Sequence, residues 1–248
     1  MIKFFRKIRY DLMEKNKTGK YLKYAIGEIL LVVIGILIAL QINNWNEIQV
    51  NQNKLADYLR GMKDDLVTDK YLLTVDIDDL EKTNLQRTQF LNHENYFVFT
   101  IDSLEKSLET IEMESSFSDK SYQQIQNSNI SDYGKYEDVI ESSRIYYTIW
   151  VPIQKEVIAR HNRDVERQNN FWRYQQSSYE FRYSNERKSY QSDEQAKKEL
   201  VSLLKSPIPR NILKIDYRRN EDMLIRYRHS LKFAGDLIKE IDSTLMDR

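Results

Sequence analysis

The residue with the most chemical capacity in this sequence is a carboxylate inside an apolar run. Glu28 stands in AIGEILLVVIGILIALQI, Ala25 to Ile42, where only Glu28 and Gln41 interrupt apolar and glycine residues. An ionised carboxylate in hydrocarbon is costly unless it reaches water, a cation or a second subunit. Three roles are therefore open to it: snorkelling to the interface, pairing with a basic residue or another copy, and titrating as a proton or ion site. On a helix, Glu28, Leu31, Val32, Gly35, Ala39, Ile42 and Asn46 share one stripe about 80° wide. Gly35 and Ala39 form a small-xxx-small pair, which lets a second helix backbone approach closely in a bilayer. Glu28, Gly35 and Ala39 are thus the candidate association or ion site.

Other chemistry is sparse. His93, His161 and His229 are isolated, with no second ligand at a metal-binding spacing, and are read as surface or half-buried helix residues. The absence of cysteine excludes disulfides and thiol chemistry. No glycine-rich phosphate loop and no nucleophile elbow occurs. Asp64-Asp65 and Asp78-Asp79 are adjacent, so on a helix each pair diverges by about 100° and is read as a solvated face. The expectation is a non-enzyme with no catalytic residue, no metal and no cofactor. Charges balance, 38 Lys and Arg against 38 Asp and Glu, which leaves no electrostatic footprint for nucleic acid.

One local anomaly stands out. Between Tyr146 and Tyr190 lie Tyr147, Trp150, Phe171, Trp172, Tyr174, Tyr179, Phe181 and Tyr183, interleaved with Arg160, Arg163, Arg167, Arg173, Arg182 and Arg187. Aromatic and arginine side chains anchor protein interfaces, but tyrosine and tryptophan also fill wide helical cores. Trp150, Arg167, Trp172, Arg173 and Tyr174 form the candidate surface for a membrane or periplasmic protein partner.

The elements that position these residues begin with the apolar run itself. Eighteen residues of helix rise roughly 27 Å, close to a hydrocarbon core of about 30 Å. Tyr21 and Tyr24 before the run and Trp45 after it are expected to anchor at the two headgroup levels of a lipid bilayer. A buried core helix and a cleaved signal peptide are the competing readings. The long preceding region and the lack of a small-residue cleavage pair favour an uncleaved anchor. Lys3, Arg6, Lys7, Arg9, Lys15, Lys17, Lys20 and Lys23 precede the run, whereas only Lys54 and Arg60 follow it closely. The positive-inside rule then sets the N-terminus in the cytoplasm. Residues 1–24 form a basic segment, amphipathic over Met1 to Glu14 or else a frayed tail. Residues 25–42 form the transmembrane helix of a bacterial inner membrane, and residues 43–248 a periplasmic domain.

The stretches Tyr24 to Ile29, Val32 to Gln41 and Ile42-Asn43-Asn44-Trp45-Asn46-Glu47 resemble the signature of a functionally uncharacterised family of Bacteroidetes membrane proteins. The opening MIKFFRKIR, Met1 to Arg9, is similar too, and the likeness weakens beyond about residue fifty, through Ser121-Tyr122 and Tyr136 to Tyr147. The resemblance implies a short cytoplasmic N-terminus, one span and a helical periplasmic region, and no activity. The layout also resembles stator-type subunits of proton-driven motors, which carry one acid in the span. An ion-conducting or ion-driven assembly using Glu28 is accordingly the alternative to a self-associating scaffold.

Beyond the membrane, Leu55, Leu59, Met62, Leu66, Leu73, Ile77 and Leu80 recur at helical spacing, which predicts one helix to about Asn92 or two helices broken near Thr74 to Asp79. Gly61 is its weak point, at a cost of about 1 kcal/mol relative to alanine. A connection at His93 to Thr100, a helix over Ile101 to Met113 capped at Asp102-Ser103, and short helices and loops at Ser115 to Tyr133 follow. Further helices are expected from Tyr136 to Tyr183 with a kink or fresh start at Pro152, from Glu194 to Leu204, and from Asn211 to Met246. The whole is an all-α fold, one transmembrane helix continuing into a bundle of long antiparallel helices that forms a homo-oligomer.

Overall fold

The computed structural model describes residue 10 and residues 18–108, 110, 112–114, 117–182 and 190–246, and every regular element among them is helical. The amphipathic reading of Met1 to Glu14 lies outside the described residues except for Tyr10. The chain divides into two compact units, Met1–Leu55 and Ala56–Arg248. The division falls at the point where burial begins with Leu55.

Helix α1 runs unbroken over Thr18–Leu91, without the alternative break at Thr74 to Asp79. Its β-branched residues are accommodated locally: the Thr68 and Thr74 hydroxyls donate to the carbonyls of Asp64 and Lys70, at 3.0 and 2.8 Å. In the first unit every residue from Ile29 to Val50 is exposed. This is the one helix among the described residues that is long and apolar enough to cross a bilayer, with a best 18-residue mean hydropathy of 2.6 and none of that window buried.

The second unit is a helical bundle. After α1 come α2 (Ile101–Lys106), α3 (Lys120–Gln126), α4 (Glu137–Ile145), α5 (Val151–Asn170), α6 (Asp193–Lys205) and α7 (Pro207–Met246). Burial on α1 recurs in steps of three and four through Leu55, Leu59, Met62, Leu66, Asp69, Leu73, Ile77, Leu80, Asn84, Arg87 and Phe90. On α7 the same rhythm runs through Leu213, Asp216, Asn220, Met223, Tyr227, Ser230, Ala234, Leu237 and Ile241. The two helices are antiparallel: Lys63 pairs with Asp242 at 2.6 Å, Glu81 with Arg228 at 2.6 Å, Asn84 with Glu221 at 2.8 Å and Arg87 with Asp216 at 2.9 Å. Helices α4 and α5 lie against α7 as well, where the Ser142 hydroxyl meets Glu240 at 3.0 Å and Val157 and Ile158 join Met223, Leu224 and Tyr227 in one core. A second core gathers Phe90, Tyr96, Leu104, Trp172, Leu200 and Leu213.

Several boundaries differ from the sequence expectation. Thr100, rather than Asp102-Ser103, caps α2 by accepting the Ser103 amide at 3.1 Å, and the helix stops at Lys106 instead of Met113. Pro152 sits in the first turn of α5, where its missing N–H costs little. The chain enters through a π-turn, Tyr146–Trp150, that turns both Tyr146 and Tyr147 inward. The long helix expected to Tyr183 ends in a second π-turn, Phe171–Gln175. Helix α7 starts at Pro207, not Asn211, because both prolines fall in its first turn. Residues 183–189 lie outside the described residues, and Ser192 caps α6, which starts at Asp193.

Candidate functional site

In the first unit the predicted stripe is open along its length. Gly35 has no neighbour within 4 Å of where a Cβ would stand, Ala39 is exposed and Glu28 is half-exposed. Tyr24 and Trp45 project from α1 at the two ends of the apolar run and are both exposed, whereas the side chain of Tyr21 lies outside the described residues. Glu28, Gly35 and Ala39 thus share one face of α1 that no other part of the described chain covers at Gly35.

The aromatic and arginine stretch of the second unit is split by the fold. Trp172, expected on a partner surface, is only 4% exposed and belongs to the core with Phe90, Leu200 and Leu213. The π-turn that carries it rotates Trp172 inward and leaves Arg173 and Tyr174 outside. Arg167 is exposed and pairs with Asp164 at 3.2 Å, and Trp150 is half-buried against Phe233 at a ring separation of 5.8 Å. Arg182 is structural: it pairs with Asp102, Glu105 and Asp193, and the Tyr179 hydroxyl donates to the same Glu105 at 2.5 Å. Tyr183 and Arg187 lie outside the described residues. The candidate surface reduces to Arg167, Arg173 and Tyr174, with Trp150 at its margin.

A buried polar seam that the sequence reading passed over runs between α1 and α7. Arg87 and Asp216 pair with side chains 2% and 3% exposed, and Asp216 also accepts from Arg219. Arg219 donates in turn to Gln168 at 2.9 Å, so the seam ties α1, α5 and α7 together. One helical stretch along, Asp65 and Asp69 dock the approach to α3 onto α1. Asp65 accepts the Ser118 hydroxyl at 2.9 Å and the Ser121 amide at 3.1 Å, and Asp69 accepts the Ser118 amide at 3.1 Å. Asp65 is therefore half-buried and bonded, not the solvated residue its pairing with Asp64 suggests. Gly61 explains itself at the same junction, since a Cβ there would stand 2.9 Å from the Ser121 hydroxyl. An alanine there would require the Ser121 hydroxyl to turn away, while the Ser121 Cβ, at 3.5 Å, would be in ordinary contact.

Asp69 is 1% exposed, and burial, reinforced by the Asp65 charge, pushes its carboxyl up to about 7 against the opposing effects of the Ser118 amide and Lys155. Burial likewise raises the Tyr146, Tyr147 and Tyr227 hydroxyls, with the nearby carboxylates Asp69 and Asp76 adding to it. A signal for this seam was present: Asp69, Asn84 and Arg87 fall in register with the leucines of α1, at positions that a helical stripe assigns to the core. Of the histidines, His161 is fully buried on the inner face of α5, while His93 and His229 are exposed. No group of three or more acidic or histidine side chains among the described residues is arranged to hold a metal ion.

A family model described as a family of unknown function (DUF6090) matches residues 28–145. The match opens at Glu28 and closes at Ile145, the last residue of α4, so it takes in most of the apolar helix, the rest of α1 and α2 to α4, but neither α5 nor α7. It covers just under half of the chain, and the region is similar to an uncharacterised family. No curated protein and no solved structure matches the chain.

Proposed function

We propose that this is a non-enzymatic, single-pass membrane protein that self-associates through the Glu28, Gly35 and Ala39 face and presents its helical bundle as a scaffold for a partner. The observation that carries the reading is the uncovered apolar helix, an 18-residue window of mean hydropathy 2.6 with none of it buried by the rest of the chain. Apolar area left in water costs about 25 cal/mol per Å², so a helix apolar on all sides requires lipid or other helices around it. The basic residues before the helix support a cytoplasmic N-terminus and a bundle on the periplasmic side of a bacterial inner membrane. Arg173 and Tyr174, exposed at the end of the α5 stretch, supply the partner-facing chemistry.

The test is the native mass of the gently extracted full-length protein beside that of Gly35→Leu and Glu28→Gln. A defined oligomer that Gly35→Leu dissociates and Glu28→Gln leaves assembled supports the scaffold reading. A monomeric wild-type protein overturns self-association.

A further inference from the structure

Most arginine side chains described in the bundle are engaged. Arg60, Arg144, Arg163, Arg167, Arg182, Arg219 and Arg228 meet carboxylates, Arg87 meets Asp216, and Arg210 donates to the Tyr96 hydroxyl and, at 3.1 Å, to the Leu91 carbonyl. Among the described residues, Arg160, Arg173, Arg218 and Arg226 have no ion pair or side-chain hydrogen bond. Three of those four line one groove between α5 and α7, of about 260 Å³, together with Arg219.

The groove is built rather than incidental. Arg219 is fixed from below by Asp216 and Gln168, and its Nε–H is buried with no acceptor among the described residues. Val157, Met223 and Ile215 give the groove an apolar portion. Two carboxylates also line it: Asp164 is engaged by Arg167, and Asp222 lies one turn from both Arg218 and Arg226 on α7. Three unengaged guanidinium forks against those two acids leave a positive excess, disposed on two helices so that one ligand can meet several forks at once. Guanidinium forks bind tetrahedral and planar oxyanions through paired N–H donors, and a dianion satisfies more forks than a carboxylate does.

We propose that the groove binds a phosphate monoester carried on a small apolar body, with Arg160, Arg218 and Arg226 clamping the phosphate and Val157, Ile215 and Met223 receiving the apolar part. The site lies on α5 and α7, outside the stretch that matches the family of unknown function, and it does not depend on association of the membrane helix.

The experiment is calorimetric titration of the full-length protein in neutral detergent with inorganic phosphate, phenyl phosphate and a short-chain phosphatidic acid. Phenyl phosphate is expected to bind more tightly than inorganic phosphate, and each of Arg218→Gln and Arg226→Gln to weaken it by about tenfold. Both arginines are exposed, and an unchanged thermal midpoint in each variant establishes that the bundle is intact. Arg144→Gln, an exposed arginine outside the groove, leaves the affinity unchanged. Tighter binding of the phosphatidic acid than of phenyl phosphate, with the same arginine dependence, names a lipid headgroup as the source of the phosphate; the reverse order names a soluble ester. Binding of none of the three, or binding that Arg144→Gln weakens as much as the groove variants do, overturns the proposal.

Discussion

Within α1, the stretch from Ile29 to Val50 and the stretch from Leu55 to Phe90 invert each other's relation between side chain and surroundings. In the first, Leu30, Val33 and Leu37 are exposed although nothing about them favours water. In the second, Asp69, Asn84 and Arg87 are buried although all three favour it. The helix backbone does not distinguish the two. What differs is the partner: polar groups can be buried where other side chains complete their bonds, and a stretch apolar on all sides that its own chain leaves uncovered calls for lipid or other helices around it.

The comparison breaks most sharply at Arg87. Asp216→Leu strands the buried Arg87 and removes the partner of Arg219, and is expected to cost about 3–5 kcal/mol, seen as a lowered midpoint in chemical unfolding, whereas Arg87→Met leaves Asp216 with Arg219 and should cost less. The double variant should recover most of the Asp216→Leu loss, and a double variant as unstable as that single one would show that the pair does more than neutralise itself. Next in size, Val33→Arg places a charge among exposed residues of the first stretch and should cost about 3 kcal/mol of membrane insertion, measured by glycosylation or protease mapping. Val67→Lys, at a comparably exposed site of the second stretch, should change stability by no more than about 0.5 kcal/mol. Equal, negligible effects at both sites would place the first stretch in water.

Asp69 supplies a smaller effect with a definite sign. Its carboxyl is raised from 3.8 to about 7, so the folded bundle holds a proton that the unfolded chain releases, and stability falls as pH rises between about 4 and 7. Asp69→Asn keeps an acceptor for the Ser118 amide and should flatten that slope, gaining of order 2 kcal/mol at pH 8 once screening is allowed for. A slope that persists in Asp69→Asn would move the titration to another group. Smallest of all, the exposed Glu81–Arg228 pair should contribute less than about 1 kcal/mol, read as a double-mutant coupling.

Much of the fold was legible because burial follows helical periodicity. The leucines of α1 and the Met223, Tyr227 and Ala234 series of α7 announce their helices directly, and the uninterrupted run to Leu91 needs no information beyond spacing and the absence of proline. Ile215 has the right residue type for the α7 core yet is exposed, because the preceding turn sets the helix phase through Leu213 and Asp216. Residues whose role depends on a distant partner were not legible. Asp65 looks like half of a solvated acidic pair until Ser118 and Ser121 come to it, and Trp172 looks like an anchor until a π-turn shifts its phase. The same holds for the arginine groove, where Arg160 and Arg218 are far apart in sequence and meet only when α5 packs on α7.

The pairing of α1 with α7 also bears on how the protein is made. Lys63 waits for Asp242, 179 residues further along the chain, and Arg87 waits for Asp216. At synthesis rates of about 5–20 residues per second, the interval is on the order of ten seconds, during which α1 has emerged without the helix that completes it. A nascent helix with leucine at every inner position would be a ready substrate for aggregation through that interval. Asp69, Asn84 and Arg87 interrupt that face over Leu55 to Phe90, so the residues that lock the finished bundle are also expected to restrain association of this stretch until α7 arrives.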